Sequence, residues 1–435
     1  MENSPHHVLS THPLNSEPPL SSVLHHFLTP ISSLYNRNHG EPVKCSSAEY
    51  SLSVSSDVDD IELSKSSFSL EDVKQIERRE VVAVLSCAGN RRQEMDSEKG
   101  VEGLQWGGSA VANCSFAGSL LREVLSRAGL ELGKLEQHGL ADKLHLHFET
   151  SQECQDDNYF ASSLPVKLAL DQSRPVLLAY EQNAAPLSEA HGAPLRLVVP
   201  GIIGARSVKW IQRIILRDHE SDNFYQQCDY KVLPPEASPE TKEQFMKHTP
   251  PMMEYPLNSE ICEPSEGTVV QLAEAEPRIE VKGYAIGAHG IPISSVHVTL
   301  IPLPVSSAPA SPSLSPDITS SELYHIRYAA SVLPKDSWTA ARLVSTPEGG
   351  DKKWQEGEKN YGWTLWSARV EVSNMIKKIV ETSAGGGEGV EVALVAHAED
   401  LEGKRQELQT EWNLRGVAEA SWSVAKVKLR KTITA

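Results

Sequence analysis

From about Pro234 the 435-residue chain changes character, and no single fold absorbs both parts. Upstream, apolar runs of strand length alternate with helical signals. Downstream, short strands such as IEVKGYAIG, ISSVHVTLIPL, YGWTLWSARVEVS and VEVALVAHAED are separated by turn formers. That spacing predicts an all-β sandwich. A single core stops growing at roughly 250–300 residues, so two domains are expected on length alone. The predicted organisation is a disordered Pro-, Ser- and His-rich lead-in over 1–31, a mixed α+β domain over 32–234 and a β-sandwich over 235–435. A Pro/Ser-rich insertion around 304–322 is expected to be a flexible surface loop.

Composition narrows the function classes. No apolar run approaches the roughly 20 residues that span a bilayer, so no membrane segment is expected. The amino terminus lacks the basic flank and apolar core of a secretory signal and the arginines of a transit peptide. A net charge of −17 argues against nucleic acid, whose phosphates need a basic footprint. Six cysteines without a CxxC pair argue against a disulfide framework and a structural zinc site, and fit a reducing compartment.

Chemistry concentrates in a few stretches. The run VVAVLSCAGNRR, Val81 to Arg92, reads as a strand that delivers Cys87 to its carboxyl end beside Arg91 and Arg92. A thiol near fixed positive charge shifts toward thiolate, which binds metals and attacks electrophiles; a buried structural cysteine is the other reading. Arg37 and His39 stand two apart in a turn-rich segment, so in extended backbone they share a face. Trp106, flanked by a Gly-rich loop, could wall a pocket. In HGAPLRLVVPGIIGARSVKW, apolar strands bracket a Gly-rich loop presenting Arg206, Ser207 and Lys209, with His191 and Arg196 just before it; such donors suit a phosphate. Tyr230 stands between an aspartate and a lysine. Arg415, set among bulky apolar residues, needs an anion, internal or bound. His145 and His147 share one face of a half-exposed strand and are assigned to solvent.

A thiolate, scattered arginines and a phosphate-type loop, without a Ser–His–Asp order or GxGxxG, point to a cofactor enzyme acting on a small oxyanion. RNHGEPV, SCAGNRR, LQWGGSA, AYEQNAAPLSEAHGAPLRLVVPGIIGARSVKW, CDYK, NSEI, KGYAIG, WTLW and WNLRG occur in order along nearly the whole chain. As a set they resemble the sulfite oxidase family of molybdopterin enzymes. The resemblance implies a sulfite-oxidase-type molybdenum cofactor domain followed by an immunoglobulin-like dimerisation domain, hence a homodimer. It implies Cys87 as the molybdenum ligand, Arg37, Arg92, Trp106, Tyr230 and Arg415 around the substrate anion, and His39, His191, Arg196, Arg206, Ser207 and Lys209 on the pterin and its phosphate. The acidic pterin contact is Asp157 or its neighbour Asp156, with Asp157 preferred.

The implied activity is oxidation of sulfite to sulfate by oxygen-atom transfer from a Mo(VI) oxo group, with oxygen or a cytochrome as electron acceptor and no haem. Cytoplasm and mitochondrion both remain open. The rival readings are a nitrate-reductase-like molybdenum enzyme, which tends to lose the third pocket arginine that Arg415 supplies here, and a non-catalytic dimeric scaffold.

Overall fold

A computed structural model describes residues 6–272, 277–309, 311, 313–383 and 389–431. The chain forms two compact units. The first comprises residues 1–18, 28–90 and 110–255, and the second comprises 19–27, 91–109 and 256–435. Among the described residues no helix is long and apolar enough to cross a membrane.

The first unit holds two five-stranded sheets. One has strand order Ser67–Ser69, Ser51–Ser56, Ile211–Arg217, His145–Thr150, Ala161–Pro165. The other runs Ala185–Pro186, Leu177–Gln182, Val111–Leu120, Arg78–Ser86, with Arg196–Val198 also paired to Leu177–Gln182. Strand Val111–Leu120 is buried along its whole length, as expected of a central strand covered on both faces. Ser69 caps helix Leu70–Lys74, and Asp72 completes the capping box that the sequence predicts. The predicted helix near 119–128 is Leu121–Arg127, with Leu121, Val124 and Leu125 facing the core.

The second unit is the expected sandwich. A four-stranded sheet ordered Asn258–Glu263, Arg278–Ile286, Thr364–Glu371, Arg342–Val344 accompanies a five-stranded sheet ordered Val269–Leu272, Ser423–Lys431, Val390–Asp400, Ile293–Pro302, Thr339–Ala340. Inward residues of both, among them Val281, Trp366, Val298 and Val392, share one core.

Four expectations need correction. The lead-in is ordered from His6. Strands His7–Thr11 and Leu14–Glu17 pair, Ser16 bridges Asn36, and Asn15 and Ser16 are buried, so polar residues there take hydrogen bonds instead of water. The break between units falls at Tyr255/Pro256 instead of Pro234, because Ile203 N–H bonds Met253 O and Ile202 bridges Glu254, which ties the intervening segment to the first unit. The insertion turns helical toward its end, at Pro316–Thr319, and runs into the following helix Glu322–Ser331, which Ser321 caps. Residues 310 and 312 lie outside the described residues. Finally, His147 is buried, not solvated, and its Nε2 bonds His219 O at 2.8 Å.

Candidate functional site

The ladder between Arg78–Ser86 and Val111–Leu120 ends on the pair Ser86 with Val111, and Cys87 N–H extends it by bonding Ala110 O at 2.9 Å. Asn90 N–H then turns back to Cys87 O at 3.1 Å. The strand therefore delivers Cys87 to its carboxyl end, as its sequence predicts, where the residue opens on a cavity of ≈ 90 Å³.

The cavity is drawn from loops and strand ends scattered along the first unit, among them Tyr35, Arg37, Asn38, His39, Gln152, Phe160, Gln182, His191, Arg196, Gly204, Ser207, Lys209, Trp210 and Tyr230. Its charge is positive. Lys209 is half-buried and donates to Arg37 O and Ala190 O, each at 3.2 Å, and to Asn38 Oδ1; loss of water around its ammonium, with Arg196 and Arg37 beside it, holds it well below the usual lysine range. Arg196 donates to His191 O at 2.9 Å and Ser207 O at 3.1 Å, and burial pushes it down to about 10. These acceptors are neutral, so the two cations keep a field that an anion would relieve. Burial, reinforced by Lys209 and Arg196, pushes His191 down to about 3. It is therefore neutral, with Nδ1 on Ser188 Oγ at 2.7 Å.

Opposite charge enters through Asp229, 3.5 Å from His39 Nε2 and 3.8 Å from Arg37 Nη2. Burial works against the charge of Arg37, but Tyr230, Asp229 and Cys87 outweigh it and raise the guanidinium above its ordinary value. Burial raises Tyr230, which stays a neutral phenol.

Of the residues singled out from sequence, Cys87, Arg37, His39, His191, Arg196, Ser207, Lys209 and Tyr230 come together around this cavity. Arg206 does not line it. Fully buried, it donates to Met252 O, Ser162 Oγ, Tyr225 O and Gln226 Oε1, and its guanidinium lies 5.6 Å from the Tyr230 ring centroid. Asp157 does not line the cavity either, since its carboxylate accepts from Asn158 N–H and Phe224 N–H. Asp156 accepts from Tyr225 Oη at 3.4 Å.

Arg92, Trp106 and Arg415 belong to the second unit. There Arg92 donates to Gly416 O and Leu104 O, Trp106 is buried, and Arg415 meets Glu102 at 3.3 Å, an internal anion. Arg91 is tied to Glu94, Asn258 and Ser421 in the same unit.

Tyr35, Asn38 and Gln182 also line the cavity; Asn38 and Gln182 lie within the motifs RNHGEPV and AYEQNAAPL, yet none of the three is singled out from sequence. Gln182 Nε2 reaches Cys114 Sγ at 3.2 Å, leaving Gln182 Oε1 buried and unbonded; His191 Nε2 and Arg196 Nε are also buried without a hydrogen bond. Three unsatisfied polar atoms lining one cavity mark a place for a polar ligand. Among the described residues no group of three His, Cys, Asp or Glu could hold a metal alone, so a metal on Cys87 takes its other ligands from elsewhere.

Known proteins resemble this chain along nearly all of its length. Residues 39–225 match the family described as "Oxidoreductase molybdopterin binding domain", and 249–301 match "Mo-co oxidoreductase dimerisation domain". "Sulfite oxidase, mitochondrial" from Drosophila melanogaster is 32% identical over 97% of this chain and 62% of its own length. Sulfite oxidase from Arabidopsis thaliana is 28% identical over 96% of this chain and 92% of its own. A nitrate reductase from Solanum lycopersicum is 29% identical over 97% of this chain, which spans 40% of that protein. The chain thus spans less than two thirds of the Drosophila relative. The solved sulfane dehydrogenase SoxCD from Paracoccus pantotrophus shares the fold, with a TM-score of 0.64, 20% identity and coverage of 96% of this chain and 84% of that one.

Proposed function

The chain belongs to the sulfite-oxidase-like family of molybdopterin oxidoreductases, and from that membership we propose that it oxidises sulfite to sulfate. The net change is sulfite plus water to sulfate, two protons and two electrons, the electrons passing to oxygen or to an external acceptor such as a cytochrome. The observation that carries this reading is the gathering of Cys87, Arg37, Arg196, Lys209 and Tyr230 around one cavity.

The residues present fit a molybdenum–molybdopterin cofactor. Cys87 would hold the metal as a soft thiolate ligand, the unsatisfied Gln182, His191 and Arg196 atoms would meet polar groups of a pterin, and Lys209 with Arg196 would face its phosphate. When bound, the cofactor supplies the two-electron redox step and the oxygen delivered to sulfur.

The chain's own groups bind and orient. Arg37 is held by Asn38 O and faces a dianion as a charge-assisted donor. Tyr230, neutral and buried, donates one hydrogen bond. Tyr35, Phe160 and Trp210 give the same cavity an aromatic wall. The roles of Arg92, Trp106 and Arg415 in holding the same anion rest on the resemblance, as does assembly of a homodimer through the second unit.

Steady-state assays with sulfite and with nitrate, on protein from a cofactor-competent host, test the proposal together with metal analysis. Sulfite turnover that falls at least 10²-fold in Cys87→Ser, with the melting temperature held, is the expected result. Nitrate turnover without sulfite turnover supports the nitrate-reductase-like reading, and a preparation with no molybdenum supports a scaffold.

A further inference from the structure

Arg37 Nη2 lies 3.2 Å from His39 Nδ1, and His39 Nε2 lies 2.6 Å from Tyr230 Oη. A guanidinium has five N–H donors and no acceptor. The nitrogen it faces must therefore carry a lone pair, so His39 Nδ1 is bare. A neutral imidazole with a bare Nδ1 carries its hydrogen on Nε2, and an imidazolium would set two donors against each other at 3.2 Å. The Nε2–H goes to the nearer oxygen, Tyr230 Oη at 2.6 Å, rather than to Asp229 Oδ2 at 3.5 Å. Tyr230 Oη is then an acceptor toward His39, and its own hydrogen must leave in another direction.

Neither end of this chain is loose. Arg37 Nη1 is fixed by Asn38 O at 2.6 Å, with Asn15 Oδ1 at 3.4 Å. The His39 ring lies against Tyr225, 4.0 Å between centroids, and against Phe160 at 5.4 Å, which opposes a ring flip exchanging its two nitrogens. Tyr230 lines the cavity into which the remaining hydrogen can turn.

We propose that His39 is a positioning residue that transmits a one-way donor chain, Arg37 to His39 to Tyr230, and so fixes the Tyr230 hydroxyl as a hydrogen-bond donor to the oxyanion in the cavity. His39 in this state cannot remove the Tyr230 proton, because its Nε2 is already protonated. The inference rests on the proposed sulfite reading for the identity of the anion, but the direction of the chain does not.

Two measurements test it. In oxidised holoenzyme carrying 15N in its histidine rings, long-range proton–nitrogen correlation, with His39 assigned by the signal lost in His39→Gln, should show a protonated Nε2 and a bare Nδ1. A proton on Nδ1 overturns the proposal. Steady-state sulfite kinetics then compare His39→Gln, whose amide N–H can still serve Tyr230, with His39→Leu, which has no donor. KM should rise more than 10-fold for leucine with a smaller change in kcat, and less for glutamine; equal KM values for the two variants overturn the positioning role. If wild-type protein fails to oxidise sulfite, the functional reading falls, while the nitrogen spectrum still decides the donor chain.

Discussion

Lys209 Nζ donates to the main-chain oxygen of Arg37 at 3.2 Å, so one half-buried cation holds the backbone that carries another. Its remaining acceptors, Asn38 Oδ1 and Ala190 O, are also neutral. A protonated lysine so placed repels Arg196 and Arg37 until an anion arrives, which makes the pair a charged cradle whose cost is relieved by binding.

The consequence is measurable in cofactor-free protein. Inorganic phosphate should raise its melting temperature, by linkage amounting to about 1.4 kcal/mol at ten times Kd. Chloride at matched ionic strength should not. Lys209→Met should lose most of the phosphate-dependent shift. A shift of equal size in the variant would place the anion elsewhere.

Arg206 stands in the same Gly-rich loop yet should behave in the opposite way. Its guanidinium is spent on Met252 O, Ser162 Oγ, Tyr225 O and Gln226 Oε1 in a fully buried setting. Arg206→Met strands those acceptors, and breaking a buried charged network typically costs about 3–5 kcal/mol. Chemical denaturation of cofactor-free protein should show that loss with the phosphate shift retained.

The contrast between Lys209 and Arg206 shows what the sequence could carry. A strand ending in Cys87 is legible because its apolar run and the following turn are local, and the capping box at Ser69 is legible for the same reason. The Gly-rich loop announces donors, but which donor faces the cavity depends on carbonyls brought from Tyr225 and Met252, and spacing within the loop does not encode them. Likewise His39 meets Tyr230 across 191 positions. The Pro- and Ser-rich amino terminus looks disordered by composition, yet the Ser16–Asn36 bridge and the buried Asn15, which accepts from Asn38 N–H, order it through partners outside itself.

Gly204 sets the depth of the cavity next to Tyr35. A Cβ there would lie 3.0 Å from Tyr35 Oη and 3.3 Å from Ser86 O, so Gly204→Ala must displace a wall of the site. We expect a loss of about 1–3 kcal/mol from overpacking and a several-fold drop in molybdenum per protein. Gly133→Ala serves as the control: nothing lies within 4 Å of its Cβ, and it sits in helix Leu132–Gln137, where alanine is favoured by about 0.5–1 kcal/mol. Metal analysis and denaturant midpoints on both variants check the difference; equal molybdenum content would mean that Tyr35 gives way freely.

His147, outside the cavity, uses the same donor logic and predicts an acid-sensitive fold. Arg217 Nη1 lies 3.2 Å from its Nδ1, so Nδ1 is bare and Nε2–H donates to His219 O at 2.8 Å. Burial, with Arg217 beside it, pushes the ring down to about 4 from an ordinary 6.5. Above 6.5 the ring is neutral in both folded and unfolded chains and contributes no pH dependence. As pH falls from 6.5 toward 4 the unfolded chain takes up a proton that the folded ring refuses, so stability declines, at most by about 1.4 kcal/mol per pH unit. Below 4 both forms are protonated and the decline from this residue stops. His147→Gln can keep both hydrogen bonds without titrating, so its denaturation free energy should fall less steeply between pH 6.5 and 4. A slope should persist, because His191, pushed down to about 3, acts in the same direction. Parallel curves for the two proteins would mean that His147 takes up its proton as readily folded as unfolded, and the donor assignment at Arg217 would fail with it.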